Sequence, residues 1–112
     1  MSKRKISLYI DDINDSIKNI EELTKEVSFE KFSKSRLLID ATVRNLEVIG
    51  EAARNIPKEI RVKYPQIEWR DIVGMRNRII HEYFGVDLEI IWKAIQEELP
   101  ELKKQIKNIK EW

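Results

Sequence analysis

The chain has 112 residues, of which 42% are hydrophobic and 37% charged, with 21 basic against 20 acidic side chains. That length suits one domain spanning residues 1–112, and the apolar share excludes a globally disordered chain. Balanced charge argues against a histone-like polybasic protein, and the absence of cysteine removes disulfide scaffolds and thiolate metal sites. With one histidine and no ligand-like carboxylate spacing, neither a metal nor a cofactor is expected.

The opening "MSKRKISLYIDD" is basic, but Asp11 and Asp12 interrupt it before a signal-peptide core can form. No apolar run approaches the ~20 residues of a membrane span, so the expectation is a soluble cytoplasmic protein with no membrane partner. Ile6, Ile10, Ile13, Ile17, Ile20 and Val27 follow an alternating four-three spacing, with Thr24 in the gap, and predict one long helix. "VSFEKFS" then reads as a connection, in which Ser33 or Ser35 can cap the next helix.

A second helix is predicted from about Lys34 to Asn55. Leu37, Leu38, Ala41, Val48, Ile49, Ala52 and Ile56 form its apolar face, and Arg36, Asp40, Arg44, Glu47, Glu51 and Arg54 the opposite stripe. Gly50 inside it suggests a close helix crossing. Pro57 opens a short helical turn, "PKEIRVK", closed by Pro65. The third helix starts near Trp69 and stops at Gly85. Asp87 can cap the fourth, whose seam is Leu88, Trp92, Ile95, Leu99, Leu102, Ile106 and Ile109. Pro100 falls inside that seam and predicts a kink or two nearly collinear helices. No strand pattern appears. The class is all-α: an up-and-down four-helix bundle with a short extra helical turn and a kinked C-terminal helix.

The third helix carries the residues that ask for an explanation, in "RNRIIHEY". Arg76 falls in the middle of the arc formed by Ile72, Val73, Met75, Ile79, Ile80 and Phe84. A guanidinium there is costly unless it is paired or opens onto a cleft. A buried pair with Asp40, Glu47 or Glu51 is the structural alternative. His81 lies ~140° around from Arg76 on an ideal helix, so one helix does not aim both at one phosphate. Two copies packed about a two-fold axis would, which points to a homodimer. Asn77 shares the face of His81 and can fix its tautomer; a helix-end histidine favoured by the macrodipole is the plainer reading. Tyr83 stands seven residues from Arg76, on nearly the same face, and can equally be an ordinary half-buried phenol. From Arg54 to Arg78 there are seven basic and three acidic residues, while the remainder carries fourteen and seventeen. The basic character sits in the segment leading into this stretch, where RNA would be attracted, unless it is simply a solvated face.

Arg76-Asn77-x3-His81-x-Tyr83 resembles the Arg-x4-His-x-Tyr motif of HepT-type toxins in the HEPN (higher eukaryote and prokaryote nucleotide-binding) superfamily. The likeness extends through "RNLEVIGEAARNIP", "YPQIEW", "RDIVGMRNRIIHEYFGVD" and "IWKAIQEELP", roughly Asp40 to Pro100. It implies a HEPN-like helical bundle that dimerises, with the motif helices lining a cleft at the interface. It implies a metal-independent endoribonuclease with Arg76 and His81 catalytic and Asn77 in support. It further implies an MntA-type minimal nucleotidyltransferase antitoxin that transfers AMP to Tyr83 and silences cleavage. The residue types suit that chemistry. Imidazole moves protons near neutral pH, and arginine presents a planar fork to phosphate oxygens. The competing expectations are a non-catalytic HEPN dimer that binds nucleotide or a transferase partner, and a purely structural helical adaptor.

Overall fold

The structure, a computed structural model, describes residues 3–74 and 88–109, and all of its regular elements are helical. Helix α1, Lys3–Thr24, buries Ile6, Ile10, Ile13, Ile17, Ile20 and Thr24 along one seam, as their spacing predicts. The helix ends before Val27, which is half-buried beyond it. The turn places Glu26 at φ 58°, a left-handed conformation that helix ends usually give to glycine.

"VSFEKFS" is not a bare connection. Phe29–Lys34 form a short helix, α2, whose first turn is closed by Ser28 Oγ accepting from the Lys31 amide at 3.1 Å. Six residues are too few for periodicity to announce a helix, and the stabilising contact is distant: Phe32, fully buried, and Phe29 both pack on Trp92, with ring centroids 5.0 and 6.0 Å away.

Helix α3, Arg36–Arg54, is capped by Ser35, whose Oγ accepts from the Leu38 amide at 3.2 Å. Its buried stripe matches the predicted face at Ile49, Ala52 and Ile56 and departs from it elsewhere. Ile39, Thr42, Leu46, Ile49 and Ala53, continued by Ile56, point inward, whereas Leu37 is 79% exposed and Leu38, Ala41 and Val48 are half-buried. Two adjacent arcs of α3 are apolar, and Thr42 disguises the one that faces the core. Of the charged stripe, Arg36, Asp40, Arg44, Glu51 and Arg54 are exposed and Glu47 is half-buried, and Gly50 is buried. Antiparallel packing of α1 on α3 is fixed by position: Asn19 donates to Asn45 at 3.1 Å, while Tyr9 and Asp12 lie beside Glu47 to Asn55.

Helix α4, Lys58–Lys63, follows Pro57 as predicted. Residues 69–74 are helical and are labelled α5, so the predicted third helix starts where the sequence places it. The predicted stop at Gly85 and the cap at Asp87 lie outside the described residues. Helix α6, Leu88–Lys93, runs into a π-helical turn, Ala94–Glu98, and then α7, Leu99–Lys107. The π turn answers to Pro100, the second residue of α7. Proline has no N–H for the carbonyl of Gln96 and its ring crowds that carbonyl. The chain widens instead, and the Leu99 amide donates to Ala94, five residues back. Ile95, Leu99, Leu102, Ile106 and Ile109 stay buried across the junction. Among the described residues no helix is long and apolar enough to cross a membrane.

Candidate functional site

Arg76, Asn77, His81 and Tyr83 all lie outside the described residues, within 75–87. The proposed pairs of Arg76 with Asp40, Glu47 or Glu51 fall there too. What the structure does give is the frame on which that stretch is strung.

The lead-in is the connection 64–68 and the first turns of α5. Ile67 and Trp69 are buried. The Trp69 indole Nε1 donates to the Tyr64 carbonyl at 3.0 Å, and its amide donates to Ile67 at 2.8 Å. The Gln105 side chain, reaching across from α7, donates to the Gln66 carbonyl at 2.9 Å. The first α-helical bond of α5 runs from the Ile72 amide to Glu68 at 3.0 Å. Ile72 is buried, Val73 is half-buried against the core, and a Cβ added at Gly74 would meet nothing within 4 Å.

On the far side, α6 is held by different means. Ile91 is buried and Trp92 rests on Phe29 and Phe32 of α2. In sequence, the stretch with the candidate residues is bracketed by two tryptophans, one buried with its indole hydrogen-bonded and the other half-buried on two phenylalanine rings.

The charge around α5 is uneven. A groove of about 270 Å³ beside its first turn is lined by Glu68, Asp71, Glu97, Glu98 and Glu101, over Ile72, Leu99 and Leu102. Carboxylates suit the positive end of a helix, and they repel polyanions. Arg61 is engaged by the backbone: its guanidinium donates to the carbonyls of Ile56 at 2.9 Å, Arg54 at 2.7 Å and Ala53 at 3.2 Å. It closes the C-terminus of α3, where a cation also opposes the helix dipole. Arg54 lies 3.9 Å from Glu51 on the surface. A second groove, about 390 Å³, lies between α1 and α3 and mixes Arg44 and Arg54 with Asp12, Glu47 and Glu51. Among the described residues, no group of three or more His, Cys, Asp or Glu is placed to hold a metal ion.

The family model of HepT-like ribonucleases ("Ribonuclease HepT-like") matches residues 13–109. The chain belongs to the HepT-like ribonuclease family. A relative from Caldanaerobacter subterraneus subsp. tengcongensis, named "Putative RNase", is 48% identical over 101 residues, covering 90% of each chain. "Probable ribonuclease HepT" of Thermococcus cleftensis is 41% identical over 108 residues, covering 96% of this chain and 98% of that one. In Methanocaldococcus jannaschii a protein named "Gamma-glutamylcyclotransferase and putative RNase" is 40% identical over 109 residues, which are 97% of this chain and 49% of the relative. No solved structure matches significantly. The resemblance seen in the motif is thus a family relationship covering most of the chain, and it places this HepT-like protein among ribonucleases.

Sequence reasoning did not find Trp69, Arg61 or Gln105 as parts of the frame. Trp69 stands seven residues before Arg76, the same interval that separates Arg76 from Tyr83. That heptad step was the available signal. Gln105 gave none, because its partner is a main-chain oxygen.

Proposed function

We propose that this HepT-like protein is a metal-independent endoribonuclease, the toxin of a HepT/MntA-type toxin–antitoxin pair, acting as a homodimer. The observation that carries the reading is Arg76-x4-His81-x-Tyr83 standing intact in a chain of a ribonuclease family. The 2′-hydroxyl of one nucleotide attacks its own 3′-phosphorus, and the bond from phosphorus to the next 5′-oxygen breaks. One proton leaves the nucleophile and one reaches the leaving oxygen, giving a 2′,3′-cyclic phosphate and a 5′-hydroxyl end. His81 moves these protons, Arg76 stabilises the charge on the phosphoryl oxygens, and Asn77 orients the imidazole. With a single histidine per chain, separate acid and base require the second protomer's copy or a water. The five carboxylates beside the first turn of α5 oppose RNA there, so the substrate approaches from the motif end of the helix.

The antitoxin step uses Tyr83. Its phenol oxygen attacks the α-phosphorus of ATP, pyrophosphate leaves, and the phenol proton passes to a base. The attached AMP adds a negative charge and a nucleoside beside Arg76, and both block a phosphate chain.

Cleavage of RNA in EDTA by wild type and His81→Ala tests the reading. Wild type should cut, and His81→Ala should lose roughly 10²–10⁴-fold, with Asn77→Ala losing less. Equal cutting by both proteins, or wild-type cutting abolished by EDTA, defeats the mechanism. Tyr83→Phe should keep most activity and escape silencing by a nucleotidyltransferase with ATP and Mg²⁺. Intact-mass spectrometry that finds no AMP-sized increase on wild type, or silencing that persists in Tyr83→Phe, defeats the switch.

A further inference from the structure

Nothing among the described residues calls for glycine at position 74. Glycine weakens a helix relative to alanine, so inside one it usually marks a positive φ or the close approach of a neighbour. Residues 69–74 are helical, no described glycine has a positive φ, and a Cβ at Gly74 would meet nothing within 4 Å. The space beside it is open.

Burial divides α5 into three sides. Trp69, Ile72 and Val73 face the core. Asp71, with Glu68 just before the helix, lines the acidic groove. Arg70 and Gly74, one turn apart, make the remaining flank. Arg70 is exposed, with no hydrogen bond or ion pair among the described residues. The exposed large apolar residues, Leu8, Leu37, Val62 and Ile90, all lie on other elements. The flank thus offers an open seat beside an unpaired guanidinium, and no apolar surface. That suits a phosphate chain better than a second helix, whose packing needs apolar side chains around the glycine.

We propose that the Arg70–Gly74 flank of α5 is an RNA-binding surface: Arg70 takes a backbone phosphate, and Gly74 leaves room for the sugar–phosphate chain to lie against the helix. The proposal rests on the ribonuclease reading made above. The motif begins two residues after Gly74 in sequence. A strand entering from the motif end can continue along this flank as far as Arg70, on the side of α5 away from the acidic groove. Contacts of this kind hold the backbone and carry no base preference.

The test uses the full chain and a mixed-sequence single-stranded RNA with 2′-fluorine in place of the 2′-hydroxyl, which removes the nucleophile and allows Kd to be measured without cleavage. KM is measured on the unmodified RNA. Arg70→Gln should weaken binding about threefold and lower the slope of log Kd against log salt by ~0.7, the share of one phosphate on a single strand. Arg70→Lys should keep the slope. Gly74→Leu fills the seat and should weaken binding about tenfold, with KM rising to match, and Gly74→Ala about twofold. Gly74→Ala should at the same time raise the midpoint of urea unfolding, because alanine favours the helix and its methyl meets nothing. A purely structural glycine would instead lose stability and binding together, and that result overturns the proposal. Wild-type Kd and slope in Arg70→Gln, or wild-type Kd in Gly74→Leu, also overturns it, while RNA cleavage by the wild type leaves the ribonuclease reading standing. A Gly74→Leu protein whose mass by light scattering changes while its affinity for RNA does not gives the flank to a second copy and overturns the RNA occupant. A wild type that binds RNA with the expected dependences but cuts none keeps the surface and removes the nuclease. One that neither binds nor cuts removes both.

Discussion

The two sides of the candidate stretch are built on different physics. Before it, Trp69 is buried in the core and also held by directed bonds, indole to carbonyl and amide to carbonyl, with Gln105 bonded to the same turn. After it, Trp92 lies on Phe29 and Phe32 through ring contacts tilted at 57° and 41°. Hydrogen bonds fix direction but contribute only ~0.5–1.5 kcal/mol each. Aromatic burial contributes more and tolerates small rotations. The lead-in should therefore govern geometry and the exit should govern stability.

Phe32→Ala offers the largest break in that contrast. Removing a fully buried ring beneath Trp92 should cost about 3–5 kcal/mol in urea unfolding. The folded fraction that remains should cleave RNA with near-normal kcat. A variant that keeps its stability but loses kcat would mean that the exit is directional too. Trp69→Phe is the converse. It deletes the indole donor and part of the ring, for about 1–2 kcal/mol, because the Tyr64 carbonyl still accepts from Ile67. Its larger effect should be on kcat. Unaltered kcat in a folded Trp69→Phe protein would remove the distinction between the two sides. The smallest change is a control away from both. Thr42 Oγ is fully buried with no hydrogen-bond partner, so Thr42→Val should stabilise by about 1 kcal/mol in the same unfolding experiment and leave kcat alone. A destabilised Thr42→Val protein would show that the hydroxyl is satisfied after all.

Legibility in the sequence tracks these same forces. The α1 seam and the last seam from Ile95 onward are plain, because an unbroken four-three spacing of isoleucine and leucine has one solution; in α6 the buried residue is Ile91, and the predicted Leu88 and Trp92 are half-buried. On α3 the face is legible only in its second half: Ile49, Ala52 and Ile56 are buried as predicted, but Leu37, Ala41 and Val48 are as apolar as Ile39 and Leu46, and only the partner helix decides between them. Helix α2 was missed because its stability comes from Trp92, some sixty residues on. The candidate site was legible as a motif, with Arg76, His81 and Tyr83 named from their spacing and their resemblance to a family. Its surroundings were not. Arg61 keeps its charge in the basic segment but also closes a helix end, a role with no signal in the sequence, since a side chain bonding to main-chain oxygen leaves no complementary residue to read. Gln105 was hidden for the same reason.

The dependence of the motif's lead-in on α7 also has a consequence in time. Ribosomes add ~5–20 residues per second, so Gln105 is made roughly one to four seconds after Tyr83. A helical turn forms within about a microsecond once its residues are free. During those seconds α1 and α3 can already be paired as an antiparallel hairpin, while the stretch with Arg76 and His81 has been synthesised and Gln105 has not. The seam of α1 that α7 will cover is still open to water. The order of synthesis thus puts the hairpin first, the motif second and Gln105, which bonds to the connection before it, last.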